Sequence, residues 1–219
     1  MPEPITLVMV GAGGGGVMLE LARRQFRIFK ELLDVVGGAL CAVVFLPVIL
    51  LAMALIKISD PAGPALYRQV RVGLNGRLFT IYKLRTMYVD AEAHGRAVLA
   101  GRHDPRIIPV CRWMRRSHVD ELPQLFNILC GQMSLVGPRP ERPELFVDLS
   151  RELPQFERRL AVKPGLTGLA QIKNGYDTDM ESVRRKLEYD LQYIENMSLG
   201  MECKLLLSTL VKFNDQGSR

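Results

Sequence analysis

The 219-residue chain is poor in the residues that usually announce a metal, a disulfide scaffold or a nucleic acid. Its 3 histidines (His94, His103, His118) show no HxxxH or HExxH spacing, and its 4 cysteines (Cys41, Cys111, Cys130, Cys203) form no CxxC pair. Scattered cysteines exclude a disulfide framework and a zinc finger, both of which need close, repeated spacing. Aromatic residues are few, 1 Trp, 6 Tyr and 8 Phe, and they do not interleave with basic ones. A nucleic-acid partner is therefore not expected, because such modules stack bases on aromatics set in a basic surface. Neither an internal repeat nor a low-complexity linker interrupts the chain. With 48% hydrophobic and 24% charged residues, general disorder is excluded as well.

What is present begins with charge and one long apolar run. The net charge of +6 suits anionic partners such as phosphates and lipid headgroups. Val35 to Ile56 is 22 residues without a charge, long enough to cross a bilayer and too late in the chain for a cleaved signal peptide. Arg23, Arg24, Arg27 and Lys30 precede it, and Lys57, Arg68 and Arg71 follow. Cations on both flanks conflict with the one-sided charge of a single span. Pro47, in the middle, removes a helix hydrogen bond and invites a kink or break. Two topologies stay open from these residues: one span, or a segment that dips in, turns near Pro47 and returns. Ahead of it, Ile5 to Val10 reads as a strand, and Gly11-Ala12-Gly13-Gly14-Gly15-Gly16 fits a dinucleotide-loop pattern. No further strands complete such a unit, so residues 1–22 are assigned as a Gly-rich lead-in, 23–58 as the membrane helix, and 59–219 as the domain that follows it.

Beyond a turn cluster at Ser59–Pro64, Asn75-Gly76 between semi-apolar runs predicts a β-hairpin over Ala65–Val72 and Arg77–Thr86. Strand alternation puts Lys83 and Arg85 on one face. A basic amphipathic helix is predicted over Arg106–Arg116, and Ser117 or Asp120 is expected to cap the next, which ends at Gly131. Val136–Pro140 reads as a rigid loop, Glu144–Leu160 as a helix interrupted at Pro154, and Val162–Gly168 as a Pro/Gly loop. Asp179–Asn196 is read as a helix, and Leu199–Phe213 as an amphipathic or interfacial one. The fold class expected is α+β, mostly helical.

Asp120 and Glu121 stand side by side after Arg115-Arg116, and Arg139 lies between two prolines. An acidic pair alone is commonly just a charged first helical turn. Arginines on both sides change its meaning, because Pro138 and Pro140 limit backbone freedom around a guanidinium that can contact phosphate in bidentate fashion. Carboxylates beside gathered cations are the ingredients of phosphoryl transfer.

From about Gln25 to Phe213 the chain resembles the bacterial sugar transferases, the small monotopic phosphoglycosyl transferases. The resemblance rests on the apolar segment with Pro47, Tyr82-Lys83-Leu84-Arg85-Thr86-Met87, Asp120-Glu121-Leu122-Pro123-Gln124-Leu125-Phe126-Asn127, Met133 to Glu141, Lys163 to Gln171, and Tyr189 to Ile194. It implies a monotopic protein with a re-entrant helix-break-helix, amphipathic interfacial helices and both termini in the cytoplasm, at the bacterial inner membrane. It implies a UDP-sugar and polyprenol phosphate as substrates, with Asp120 as nucleophile and magnesium ligand, Glu121 assisting, and Mg²⁺ as cofactor. Lys83, Arg115 and Arg139 match basic positions of the phosphate site, with Arg115 favoured over Arg116; Arg85, a further cation on the hairpin, is a candidate for the same site, and Gln171 closes a block expected to line the substrate. Membrane lipid is an implied partner, and a homodimer is admitted. The chain departs from many relatives at Leu46, where they carry Ser, and at Gln132, where they carry Asp. The alternative is a membrane-anchored scaffold of the same fold without catalysis. The sequence does not name the sugar.

Overall fold

The computed structural model describes residues 14–92, 104–174 and 179–214. The expected strand at Ile5–Val10 and the start of the glycine loop lie outside them. The described chain is mostly helical, with two small two-stranded sheets.

Helix α1 (Gly14–Ser59) carries the apolar run. It passes through Pro47 without interruption, so the expected break is not a break in the helix. Pro47 still withholds the amide that the Val43 carbonyl would accept. On the C-terminal side, Ile49, Ala52 and Ile56 form one buried stripe at helical spacing. They pack with Ala65, Leu84, Ile108, Cys111 and Met114. On the N-terminal side, Gly38 meets Ile128 and Leu129, and a Cβ at Gly37 would lie 2.8 Å from Leu135. Between these arms residues 43–47 are exposed without exception. Five consecutive positions exceed one 3.6-residue turn, so no face of the helix is buried there. Only 17% of the apolar window is buried, which sets α1 apart from the core helix of a soluble protein. Gln25–Ser59 is long and apolar enough to cross a membrane.

A buried polar inset ties the N-terminal arm to the body. Asp34 Oδ1 accepts from Ser134 Oγ (2.9 Å) and from the Leu135 amide (2.9 Å). Lys30 Nζ donates to Glu202 Oε2 (2.7 Å) and to the Val136 carbonyl (3.1 Å). The Tyr193 hydroxyl donates to the other Glu202 oxygen and to the same carbonyl.

Strands β1 (Leu66–Val72) and β2 (Leu78–Leu84) form the expected antiparallel hairpin. Asn75 (φ 54°) and Gly76 (φ 76°) supply the left-handed turn that this dipeptide favours. The free edge of β2 is covered by one buried side chain. Asn127 Oδ1 accepts from the Tyr82 amide (3.2 Å), and its Nδ2 donates to the Thr80 carbonyl (2.7 Å), as a neighbouring peptide group would. Gln132 Oε1 accepts the second Nδ2 proton (2.7 Å).

The basic helix is shorter than expected. Only Arg112–Arg116 (α2) is α-helical, behind a 3-10 turn at Pro109–Cys111. Pro109 disfavours helix at the preceding residue, and Ile107 instead bridges to Met87. Neither Ser117 nor Asp120 caps the next helix. Ser117 Oγ bonds back to the Trp113 carbonyl (2.8 Å), and α3 (Gln124–Leu129) starts behind Pro123. The loop read over Val162–Gly168 contains a strand. β3 (Ser134–Val136) pairs in parallel with β4 (Gly165–Thr167). Their backbones approach so closely that a Cβ on Gly165 would sit 2.0 Å from the Gly137 nitrogen.

Helix α4 (Pro143–Glu152) and a 3-10 segment at Pro154–Ala161 reproduce the interruption expected at Pro154. Two further elements are α5 (Leu169–Lys173) and α6 (Met180–Glu195), which starts with an Asp179/Ser182 capping box. Helix α7 (Leu199–Asn214) ends the described chain. Its Thr209 shares a 2.8 Å hydroxyl hydrogen bond with Thr167 of β4.

Candidate functional site

Asp120 and Glu121 lie on a 3-10 turn, Val119–Glu121, entered through His118 in the left-handed region (φ 53°). Val119 and Leu122, on either side of the pair, pack against the cluster that holds Ile49, Ala52 and Ile56 of α1. The acidic pair is therefore built onto the same apolar cluster that receives the C-terminal arm of the apolar helix.

Glu121 joins two cations that the sequence separates widely. Its Oε1 accepts from Lys83 Nζ of β2 (2.9 Å), and Oε2 accepts from Arg139 Nη1 (3.0 Å). Arg139 Nη2 also donates to Oε1, so the guanidinium grips the carboxylate with both terminal nitrogens. Burial alone would raise the Glu121 carboxyl; Arg139 and Lys83 overrule it and hold it well below the usual carboxylate range. Burial pulls the Lys83 ammonium down from its ordinary value, partly offset by Glu121. Glu121 pushes Arg139 further up. The half-buried Asp120 lies within the field of both cations, favouring the charged form of each.

The other basic residues expected here have different partners. Arg85 falls just beyond the end of β2, so strand alternation no longer sets its direction. Its buried guanidinium bonds the Asp60 carboxylate, the Asp60 carbonyl (2.7 Å), the Pro64 carbonyl (2.7 Å) and the Gly63 carbonyl (3.2 Å). It closes the turn after α1 rather than joining Lys83, a correction to the expected grouping. Arg115 Nη1 donates to Thr86 Oγ1 (3.2 Å), one step along the chain from Arg85. Gln171 Nε2 donates to the Leu166 carbonyl (2.9 Å) and braces β4.

Sequence reasoning missed the groups behind Arg139. Arg159 Nη2 donates to the Arg139 carbonyl (2.8 Å), and Arg71 Nη1 donates to the Pro140 carbonyl (2.9 Å). Arg159 also pairs with Asp190 (2.7 Å) and lies 3.6 Å from Glu141, which Lys186 bonds as well. In the chain Arg158-Arg159 reads as a charged helix surface, and no local pattern marks one of the two for the interior. Beside this loop a recess opens between Val72, Gly73, Phe146 and Leu160, with Arg139, Glu141 and Arg159 in its wall.

Among the described residues no group of three or more His, Cys, Asp or Glu side chains gathers as a metal cage. Magnesium needs none when one or two carboxylates share it with substrate phosphates. Glu121 is committed to Lys83 and Arg139, and the half-buried Asp120 carboxylate beside them fits that mode of holding.

Fold and site together define a class: a small, mainly helical protein with a long exposed apolar helix, and a carboxylate pair with cations on a turn that shares an apolar cluster with that helix. The chain belongs to the bacterial sugar transferase family, whose model matches residues 25–216. It is 43% identical over 192 residues to a UDP-glucose:undecaprenyl-phosphate glucose-1-phosphate transferase of Caulobacter vibrioides, covering 87% of this chain and 71% of that protein. It is 38% identical over 185 residues to a UDP-N-acetylgalactosamine-undecaprenyl-phosphate N-acetylgalactosaminephosphotransferase of Aeromonas hydrophila, covering 84% and 43%. A Klebsiella pneumoniae relative named like the Caulobacter protein is 37% identical over 188 residues, covering 84% and 40%. The chain thus spans less than half the length of the last two.

Proposed function

We propose that this protein moves a sugar 1-phosphate from a UDP-sugar to undecaprenyl phosphate, releasing UMP, as the first step of a surface or secreted glycan. The observation that carries the reading is Asp120, next to Glu121 with its two cations, on a turn whose flanking residues pack on the cluster that also receives the apolar helix. Relatives named for this transfer with glucose or N-acetylgalactosamine support the chemistry and leave the sugar open.

An Asp120 carboxylate oxygen attacks the β-phosphorus of the UDP-sugar. The new O–P bond replaces the bond to the bridging oxygen, which leaves on UMP. An oxygen of undecaprenyl phosphate then attacks the same phosphorus and expels the Asp120 carboxylate, leaving a polyprenol diphosphate sugar. A carboxylate approaching a diphosphate meets like charge, and Lys83 and Arg139 offset it. Asp120 would also hold a magnesium ion, which would supply further charge neutralisation at the phosphate. Glu121 is a weak base while both cations hold it, and it gains basicity as they turn to phosphate, which suits it to take a proton from the acceptor.

The polyprenyl tail keeps the acceptor phosphate at headgroup level, so the site must lie there too. In this reading α1 enters one leaflet of the inner membrane from the cytoplasmic side and returns. Two arms that pack on one body, either side of an exposed stretch at 43–47, support that course. Single cysteines at positions 25 and 60 are expected to label from the same, cytoplasmic, side; labelling from opposite sides would replace re-entry with a span.

The deciding experiment incubates purified protein with a panel of UDP-sugars, with and without undecaprenyl phosphate. UMP and a lipid-linked sugar are the expected products. UDP as product would point to a different bond cleavage, and no nucleotide release to a scaffold.

A further inference from the structure

The loop that carries Arg139 is held by four successive carbonyls. Pro138 accepts from the Gly165 amide (2.9 Å), Arg139 from Arg159 (2.8 Å), Pro140 from Arg71 (2.9 Å), and Glu141 from the Val72 amide (3.0 Å). The two prolines have no amide hydrogens, so the loop has few donors with which to stabilise itself. Its shape is imposed by groups from β1, from β4 and from the 3-10 segment Pro154–Ala161.

Arg159 is the most constrained of these groups. Its guanidinium is buried, lies 4.6 Å from the Phe156 ring, and spends Nε on Asp190 and Nη2 on the Arg139 carbonyl. Asp190, Glu141 and Lys186 complete a buried set of two cations and two anions. Such sets are poor sources of stability, because desolvating four charges offsets most of their attraction, and well-packed apolar residues often serve as well. Stability does not explain the set at this place; its geometry does. It grips the chain at the Arg139 carbonyl and at the Glu141 side chain, on both sides of Pro140.

We infer that Arg159 is a positioning residue for Arg139. By fixing the backbone at 139 it aims that guanidinium at Glu121 and, in turnover, at the donor diphosphate. The inference deepens the proposed transfer and rests on it for the catalytic consequence. Misplacement of a phosphate-holding group by about 1 Å is worth on the order of 10²-fold in rate.

The test is a double-mutant cycle on the full-length protein, read as UMP release and as hydrogen–deuterium exchange of residues 137–142. Arg159→Gln is expected to lower kcat/KM on the order of 10²-fold, and Arg159→Lys, which keeps the charge but not the forked contact, about tenfold. Should Arg159→Gln fail to unfold cooperatively on heating, Arg159→Lys carries the cycle. In an Arg139→Ala background the same changes are expected to cost less than about threefold, because the group they position is gone. Exchange in 137–142 is expected to speed up in both single variants. Equal losses in the two backgrounds, or unchanged loop exchange, would overturn the assignment. If the unaltered protein releases no UMP from any UDP-sugar, the proposed function falls, and loop exchange alone then decides whether Arg159 positions residue 139.

Discussion

Two charge clusters lie on either side of one short loop, and they are built for opposite purposes. At the rim, the side chains of Glu121, Lys83 and Arg139 are 12%, 17% and 36% exposed. Behind the loop, those of Arg159, Asp190, Glu141 and Lys186 are between 2% and 9% exposed. The rim cations share one carboxylate with Asp120 beside it, and they are partly exposed, so in the proposed transfer they exchange a carboxylate for a phosphate. The interior set is balanced in charge and sealed, so its partners are permanent. In the proposed assignment an exchangeable ionic contact rests on a fixed one beneath it.

The largest effect expected is at the rim. Asp120→Asn should lower UMP release by about 10⁴-fold or more, as loss of a nucleophile does, and leave no trappable phosphosugar adduct. Its thermal unfolding should stay close to that of the unaltered protein. Appreciable turnover by the purified variant would remove Asp120 from the role of nucleophile. Stripping divalent metal with a chelator should likewise stop UMP release, and added Mg²⁺ should restore it. Undiminished activity in chelator would take the ion out of the mechanism.

The interior responds in stability. Glu141→Gln leaves Lys186 and Arg159 short of an anion and should cost about 3–5 kcal/mol in urea unfolding. Adding Lys186→Met should recover part of that loss. A double variant no more stable than the single one would show that the network does not act as a unit. The pH dependence has a definite sign. Burial opposes the Glu141 charge, but Lys186 and Arg159 outweigh it and lower its pKa; Arg139 and Lys83 do the same for Glu121. Both carboxylates contribute stability above their unfolded pKa, about 4.3, and lose it as pH falls through their lower folded values. Unfolding midpoints should therefore drop steeply below about pH 4, and less steeply in Glu141→Gln.

The smallest effect separates two cations that are neighbours in the chain. Arg85→Lys should cost about 1–2 kcal/mol by loosening the turn at Asp60–Pro64, with kcat/KM changed less than about threefold. A loss of kcat/KM of tenfold or more would return Arg85 to the phosphate site.

The hairpin was legible because an Asn-Gly turn carries its own left-handed preference. So was α6, whose Asp179 and Ser182 cap it locally. The acidic pair and the Pro-Arg-Pro loop were legible as motifs. Arg85 was misgrouped because alternation holds only inside a strand, and β2 ends at Leu84. The strand at Gly165–Thr167 was invisible because three residues show no period, and its partner is a chain crossing made possible by Gly137 and Gly165. Asn127, which covers the edge of β2, carries no mark in the chain to distinguish it from a surface amide.

By itself the sequence determined an apolar helix long enough for a bilayer, a hairpin, and an acidic pair with arginines to either side, since each is a property of residues close together in the chain. Only the tertiary structure decided which cation meets which anion. Glu121 finds Lys83 and Arg139 across 38 and 18 residues, and Arg159 finds Asp190 and the Arg139 backbone across 31 and 20. Coulomb attraction is not selective among the chain's 29 basic residues; packing of the apolar faces brings particular pairs within hydrogen-bond range and excludes water from some of them.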